Sequence, residues 1–286
     1  MPFVRANGLD IAYETRGAGP PLIALHGATS LGLEDFAAQL PLMSKAFLVY
    51  LPDARGHGRT RWDGAAGFRY DWLVDDLVAF VDALGLDSFH LLGLSMGAMT
   101  ALQFGARHPE RLRTLIVVGI TTQREPRASV GRRLMDPARI LARDPEFAAR
   151  LGRRHDAGQG EGAWQRLLPA IAADIAVQPL MSPAEVHRID CPTMVACGDR
   201  DPFAPPEHAA TLARQLPKGQ LFVAPDCGHE VPSRRPGLFN EAVSSFYRTT
   251  EAEARTRAAA IEAAGVPDVE AAAFPEPPFP EAPPIT

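Results

Sequence analysis

The chain has 286 residues, 46% of them hydrophobic, and a formal net charge of -5. This length and apolar fraction fit one large domain, or one domain with an insertion, that can bury a full core. The mildly acidic balance lacks the basic excess typical of nucleic-acid-binding proteins, so we expect no nucleic-acid partner.

The sequence shows no secretory signal, membrane span or paired cysteines, and this bears on localisation and redox state. The first residues show no charged segment followed by a secretory apolar run, and no window reaches the roughly 20 apolar residues of a membrane span. The cysteines Cys191, Cys197 and Cys227 are odd in number and form no CxxC pair, which argues against a disulfide framework or a zinc site. We expect a cytoplasmic protein with reduced thiols and no membrane association.

The chain begins with a predicted β-hairpin. The segment "FVRANGLDIAYE" alternates on both sides of Asn7-Gly8, and this pair readily adopts the positive φ angles of a two-residue turn. Six short apolar runs without polar alternation then predict buried parallel strands, at 21–27, 46–53, 89–95, 114–120, 193–199 and 220–226.

Helical patterns separate several of these strands. One covers 70–85 and stops at Gly85, and another begins at Met96 and ends before Pro109. Strands and helices that alternate in this way predict an α/β protein with a doubly wound, mostly parallel sheet.

The alternation of strands and helices breaks in two places, and these breaks define the predicted domain boundaries. Residues 1–120 and 189–249 form the α/β core, and residues 121–188 form a helical, arginine-rich insertion without a strand. Residues 250–286 comprise a helix followed by an acidic, proline-rich tail, which we expect to be extended or disordered.

A serine between two glycines directly follows one predicted strand and precedes a helix. The segment Gly93-Leu94-Ser95-Met96-Gly97 matches G-x-S-x-G, a turn so tight that the serine adopts strained angles and its hydroxyl is exposed. The alternative is a glycine-rich turn whose serine caps the next helix. The strand-turn-helix context favours a nucleophile.

A serine nucleophile needs a histidine to take its proton and an acid to orient that histidine. Both follow later strands, in "CGDRDPFAPPEHA" and "APDCGHEVP". With these motifs in the order nucleophile, acid, histidine, the segment 3–248 resembles the α/β-hydrolase fold superfamily, in particular its serine esterases and lactonases (enol-lactonase, carboxylesterase and methylesterase-like members).

The resemblance implies a role for each of these groups. Ser95 is the nucleophile, His229 the base and then the acid, and Asp201 the orienting acid, with Asp199 as the less favoured choice. The alternative for both aspartates is an Asx turn, which we prefer for Asp199. His26 and His57 lie in "HG" and "GHG" segments and are interpreted as structural groups beside the site.

The resemblance also implies an oxyanion hole formed by the backbone amides of Ala28 and Met96. No cofactor or metal is expected, because backbone donors already stabilise the developing charge. The sequence departs from the family pattern at Thr60, where serine is frequent, and at Ala98, where a third glycine is frequent; neither position supplies a catalytic group.

In this family the insertion forms a lid over the serine. Trp164 lies on the apolar face of a predicted lid helix and forms either a pocket wall or lid core. Phe203 and Val231, just beyond the acid and the histidine, are further candidate substrate-binding residues. The lid arginines could bind a substrate carboxylate, but helical spacing favours solvated faces.

The resulting hypothesis is a serine hydrolase that cleaves a carboxylic ester or lactone through an acyl-enzyme, acting as a monomer or homodimer on a small molecule. C–C bond hydrolysis and cofactor-free perhydrolysis use the same triad and stay open, as does a ligand-binding receptor on the same fold. Epoxide hydrolases and dehalogenases of this fold attack with a carboxylate, so Ser95 disfavours them.

Overall fold

The computed structural model describes residues 2–263 and begins with the predicted hairpin. Strands β1 (Phe3–Ala6) and β2 (Leu9–Arg16) pair antiparallel. Asn7 and Gly8 have φ angles of 46° and 75°, as the two central residues of the turn require.

Eight strands form one sheet in the order β1-β2-β4-β3-β5-β6-β7-β8. β2 pairs antiparallel with β1 and β4, and the remaining neighbours are parallel. The six apolar runs are all strands of this sheet: β3 (Pro21–Leu25), β4 (Leu48–Pro52), β5 (Phe89–Leu94), β6 (Leu112–Val118), β7 (Thr193–Gly198) and β8 (Gly219–Ala224). The predicted doubly wound sheet with an N-terminal hairpin is confirmed.

The helices cover both faces of the sheet or lie between β6 and β7. They are α1 (Gly32–Asp35), α2 (Leu40–Met43), α3 (Tyr70–Ala83), α4 (Met96–Arg107), α5 (Arg127–Leu134), α6 (Pro137–Arg143), α7 (Pro145–Gln159), α8 (Ala163–Val177), α9 (Pro183–His187), α10 (Pro206–Gln215), α11 (Val231–Arg234) and α12 (Pro236–Ala263). The predicted stop at Gly85 is observed two residues after α3, where φ is +65°.

The central strand β5 divides the core into two clusters. Its residues are all buried; Phe89 and Leu91 pack in one cluster, while Leu92 and Leu94 pack in the other. This alternation arises because successive side chains of a strand point to opposite faces. A strand that is apolar on both faces therefore carries no polar alternation, as the sequence showed.

Five helices, α5 to α9, lie within the predicted insertion of residues 121–188. Helical spacing favoured solvated faces for most of its arginines, but Arg124 and Arg127 make protein contacts instead. Arg127 is 5% exposed and lies over the Tyr70 ring, and Arg124 donates to the carbonyls of Ala176 and Gln178 at the end of α8. These guanidinium groups fasten the insertion instead of facing solvent.

The C-terminal helix α12 continues the core instead of starting after it. Its first half buries Phe239, Val243, Phe246 and Tyr247 against the sheet. The proline-rich tail lies outside the described residues. Within residues 2–263, no helix combines the length and apolar character needed to cross a membrane.

Candidate active site

Ser95 lies in the tight turn between β5 and α4. Its backbone angles, φ 55° and ψ -107°, are rare for a residue with a side chain, and its side chain makes no capping bond to α4. A Cβ atom at Gly93 would lie 2.3 Å from the Gly97 carbonyl oxygen, and one at Gly97 would lie 2.2 Å from the Leu25 oxygen. Both glycines are therefore required by backbone contacts, and the capping alternative for Ser95 does not fit.

The structure brings Asp201 and His229 into direct contact. Nδ1 of His229 lies 3.0 and 2.9 Å from the two carboxylate oxygens of Asp201. Asp201 is 4% exposed, and its Oδ1 also accepts hydrogen bonds from the amides of Phe203 and Ala204. The turn suggested as an alternative role for Asp201 thus exists together with the histidine contact.

The other ring nitrogen of His229 is buried and has no hydrogen-bond partner among residues 2–263. With Nδ1–H directed at the Asp201 carboxylate, Nε2 carries a lone pair. The imidazole is therefore ready to accept a proton from a group in the cavity.

Asp199, the less favoured acid, lies outside the cavity and holds the loop that carries the histidine. Its Oδ1 accepts a hydrogen bond from the Cys227 amide at 2.9 Å. Backbone donors at Cys227 and Asp226 lower the pKa of this carboxyl. Asp199 thus joins the loop after β7 to the loop after β8.

Gly119, at the end of β6, was not identified from the sequence. Its φ angle is +66°, and a Cβ atom there would lie 2.8 Å from Cε1 and 2.9 Å from Nδ1 of His229. A single glycine after a buried strand carries no motif, so the only sequence signal was its position at a carboxyl end of the sheet.

Ala28 and Met96 carry the two amides that the family resemblance implies as oxyanion donors. Ala28 lies three residues after β3, and Met96 is the first residue of α4. In the described part of the chain neither amide donates a hydrogen bond to another protein group. Both donors are available to a ligand.

The loop after β3 is held by buried polar groups. His26 contacts the Gly27 carbonyl through Nδ1 at 2.8 Å and accepts from the Ala54 amide through Nε2. His57 contacts the Ala28 carbonyl at 3.0 Å. Burial lowers the pKa of His26 to about 4 and that of His57 to about 3. Both imidazoles are neutral at physiological pH, as their structural interpretation requires.

Asp35 adds a carboxyl group on the same loop region. It accepts a hydrogen bond from the Gly27 amide at 2.8 Å and lines the cavity that contains Ser95. Burial raises its pKa to about 6, although the Gly27 amide acts in the opposite direction.

A cavity of about 830 Å³ contains Ser95, Ala28 and His229 and lies under helices α5 to α7. Phe203 lines it and packs against the His229 ring with centroids 4.4 Å apart. Three insertion arginines, Arg133, Arg139 and Arg143, also line it.

Two predicted substrate-binding residues do not line this cavity. Trp164 is 3% exposed and packs with the other apolar residues of α8, so of its two proposed roles the core role applies. Val231 is fully buried in the cluster under α12. Helical periodicity and sequence proximity identified buried faces, but those faces pack against protein.

The cysteines and the potential metal ligands contribute no further site. All three thiols are buried and unbridged, and burial raises the pKa of Cys191 to about 11 and that of Cys197 to about 12. Over residues 2–263 there is no group of three or more His, Cys, Asp or Glu side chains that could hold a metal ion.

The family follows from comparison with known proteins. The model of the Alpha/beta hydrolase family matches residues 22–242, a span that includes β3, the serine turn, the insertion and both loops of the Asp201–His229 pair. The chain belongs to this family. An alpha/beta hydrolase of this kind places its functional loops at the carboxyl ends of the parallel strands, where Ser95, Asp201 and His229 are found.

Individual relatives of this hydrolase differ in their described reactions. 2-Hydroxymuconate semialdehyde hydrolase of Pseudomonas sp. (strain CF600) is 28% identical over 271 residues, which cover 87% of this chain and 94% of the relative. A thermophilic esterase from Thermogutta terrifontis has a TM-score of 0.71 at 25% identity, with 87% and 98% of the two chains covered. Est816, described as an N-acyl homoserine lactone degrading enzyme, has a TM-score of 0.69 at 27% identity, with 86% and 100% covered.

Proposed function

We propose that this alpha/beta hydrolase cleaves a carboxylic ester or lactone through an acyl-enzyme on Ser95. The observation that carries the proposal is the buried Asp201–His229 contact, with Nε2 of His229 unpartnered, beside the same cavity as the strained Ser95. A serine hydroxyl becomes an effective nucleophile only when such a base takes its proton.

The reaction proceeds in two half-reactions. His229 takes the Ser95 proton as the hydroxyl oxygen attacks the carbonyl carbon, and the negative charge forms on the carbonyl oxygen, where the Ala28 and Met96 amides stabilise it. The intermediate collapses, His229 gives its proton to the departing alkoxide, and the acyl group stays on Ser95. Water then attacks, His229 accepts the water proton, and Ser95 leaves with that proton as the carboxylic acid is released.

Asp201 keeps the imidazole in the required tautomer. Its carboxylate accepts a hydrogen bond from Nδ1–H, which keeps that proton on Nδ1 and leaves the Nε2 lone pair free for the Ser95 proton, and it stabilises the imidazolium formed in each half-reaction. The Phe203 and Ala204 amides hold one carboxylate oxygen and so fix the acid in place.

Hydrolysis of a C–C bond is the second candidate. The semialdehyde hydrolase relative covers nearly the whole length of this chain, and the same serine, acid and histidine could serve a carbon leaving group. In C–C cleavage the electron pair of the broken bond leaves on carbon as a stabilised carbanion, such as an enolate, which then takes up a proton. A substrate that contains such a leaving group therefore distinguishes the two reactions, whereas the triad does not.

The test is the initial rate on p-nitrophenyl esters of acetate, butyrate, octanoate and benzoate, on a lactone panel, and on a vinylogous diketone. Ester or lactone turnover in the wild type that falls at least 1,000-fold in Ser95→Ala and in His229→Ala supports the proposal. Phe3→Leu, far from the cavity, serves as the control. Turnover of the diketone alone, again dependent on Ser95, would replace ester cleavage with the second candidate.

A further inference from the structure

Helix α7 of the insertion contacts the loop that carries the Ala28 amide. Arg154, on this helix, donates from Nη1 to the Thr29 carbonyl at 2.6 Å and from Nε to the Glu34 carboxylate at 2.8 Å. Its side chain is only 16% exposed. A guanidinium group that is largely shielded from solvent and bonded to two partners fixes geometry more firmly than a solvated one.

Two more side chains of α7 hold the neighbouring loop, residues 56–62. Nδ1 of His155, which is fully buried, accepts from the Gly58 amide at 3.3 Å. Gln159 accepts from the Trp62 amide at 2.9 Å and donates to the Thr60 carbonyl. α7 is therefore fastened to two core loops through three positions on one face.

The helix backbone itself approaches the core closely at Gly158. A Cβ atom there would lie 2.3 Å from the Gly58 carbonyl oxygen and 2.8 Å from the Arg59 Cα. Only glycine permits this distance, because backbone atoms cannot move aside as a flexible side chain can.

These contacts complete a series along the loop after β3, which carries the Ala28 amide. The carbonyls of Gly27, Ala28 and Thr29 are contacted in turn by His26, His57 and Arg154. A peptide unit is planar, so fixing the Gly27 carbonyl also fixes the direction of the Ala28 N–H in the same unit. Arg154 is the member of this series that comes from the insertion. The Thr29 carbonyl that it holds shares a peptide unit with the Ser30 N–H, which donates to the Gly27 carbonyl at 3.3 Å and so connects Arg154 to the unit that carries the Ala28 N–H.

We propose that Arg154 is a positioning residue: by holding the Thr29 carbonyl, it lets the docked insertion helix α7 set the position of the Ala28 amide. The inference rests on the proposed function, because it assigns the Ala28 amide to the oxyanion. It adds that the transition state is stabilised fully only while α7 is in contact with the loop.

Arg154→Gln, Arg154→Lys and Gly158→Ala test this proposal, with Arg153→Gln as a control that removes the same charge from the adjacent, exposed position of α7. We expect kcat of Arg154→Gln and Gly158→Ala to fall about 10- to 100-fold with KM changed less than about threefold, because the lost contact acts on a transition-state donor. Arg154→Lys should recover part of the loss, and Arg153→Gln should match the wild type. An unchanged kcat in Arg154→Gln, with Ser95→Ala inactive, would overturn the positioning role and leave the proposed function intact.

Hydrogen exchange of residues 27–34 gives a readout that does not depend on turnover. Arg154→Gln should exchange these amides faster than the wild type and Arg153→Gln, while circular dichroism shows an equally folded chain. Unchanged exchange would overturn the proposal even if the wild type proved inactive on every ester and lactone.

Discussion

Gly119 shows how a residue without a reactive group permits the contact between Asp201 and His229. Its missing side chain leaves the space that the His229 ring occupies against Asp201. Gly119→Ala should push the imidazole away from the carboxylate and lower kcat about 100-fold, as misplacements of about 1 Å do. Initial rates on the best ester or lactone measure this effect.

Gly85→Ala is the matched control for that substitution. Gly85 has a φ angle of +65°, against +66° for Gly119, but a Cβ atom there meets nothing within 4 Å. Both variants therefore carry the same backbone strain of about 1 kcal/mol, and only Gly119→Ala disturbs the imidazole. Equal activity in the two variants would show that Gly119 acts through its backbone alone.

Arg139 and Arg143 line the cavity and form no ion pair within residues 2–263, so we predict that they favour substrates with a negative charge. The double variant Arg139→Gln/Arg143→Gln should raise KM for mono-p-nitrophenyl succinate about 3- to 10-fold and leave KM for p-nitrophenyl butyrate within about twofold. Arg132→Gln/Arg153→Gln removes the same charge outside the cavity, where salt screens it. A similar KM ratio in all three proteins would remove the arginines from substrate selection.

The residues that could be predicted from the sequence were those whose chemistry requires a local pattern. Ser95 needs glycines two positions away on each side, so its motif is contiguous. Gly119 and Arg154 act on partners that are distant along the chain, and no local pattern records such a contact. Trp164 was ambiguous because periodicity shows that a helix face is buried, but not whether protein or a cavity covers it.

Helix α4 contains two glycines that differ in whether a side chain would meet rigid backbone or flexible side chains. A Cβ atom at Gly97 would meet the Leu25 backbone at 2.2 Å, whereas one at Gly105 would meet the ends of the Leu112 and Ile189 side chains at 3.1 and 3.5 Å. Gly97→Ala should therefore lower the free energy of unfolding by about 3 kcal/mol. Gly105→Ala should change it by less than about 1 kcal/mol, because the side chains yield and helix propensity improves. Urea unfolding of both variants measures the difference, and equal losses would contradict the close approach of α4 to β3.

The elements themselves were largely predictable, and the reason is burial on both faces. A strand covered by helices on either side must be apolar throughout, so each parallel strand forms an uninterrupted run. The short helices α1, α2 and α11 have four residues each, too few for a periodic pattern to emerge. A helix of about one turn leaves no periodic signal in the sequence, so these three helices could not be predicted from it.

At the scale of the whole molecule, four buried histidines make the free energy of unfolding depend on pH. Burial lowers the pKa of His26 to about 4, of His57 and His90 to about 3, and of His155 to about 2. The cluster His26–His57–His155 links the core loops to the insertion, with ring centroids 4.9 and 5.2 Å apart. Protonating any of its members would place a charge on a group that forms no ion pair with a carboxylate among residues 2–263.

Stability should therefore fall as the solution is acidified below the ordinary histidine pKa of about 6.5. Near pH 5 the unfolded chain binds a proton on each of the four histidines and the folded chain does not. Asp35 and Asp53 act in the opposite direction, because burial raises their pKa values to about 6 and the folded chain holds their protons at this pH. Near pH 5 the unfolded chain still binds about two more protons than the folded chain. The free energy of unfolding should therefore fall by about 3 kcal/mol for each unit by which the pH is lowered.

Urea unfolding at pH 7, 6 and 5 measures this slope, and His90→Gln isolates one contributor. His90 lies away from the cavity, where it bonds Thr114 and packs against Phe47. Its replacement by a neutral amide removes one titrating group, so the slope near pH 5 should decrease by about 1.4 kcal/mol per pH unit whatever the substitution costs at pH 7. A slope equal to that of the wild type would mean that His90 titrates alike in both states. A flat wild-type profile would contradict the net uptake of about two protons on unfolding.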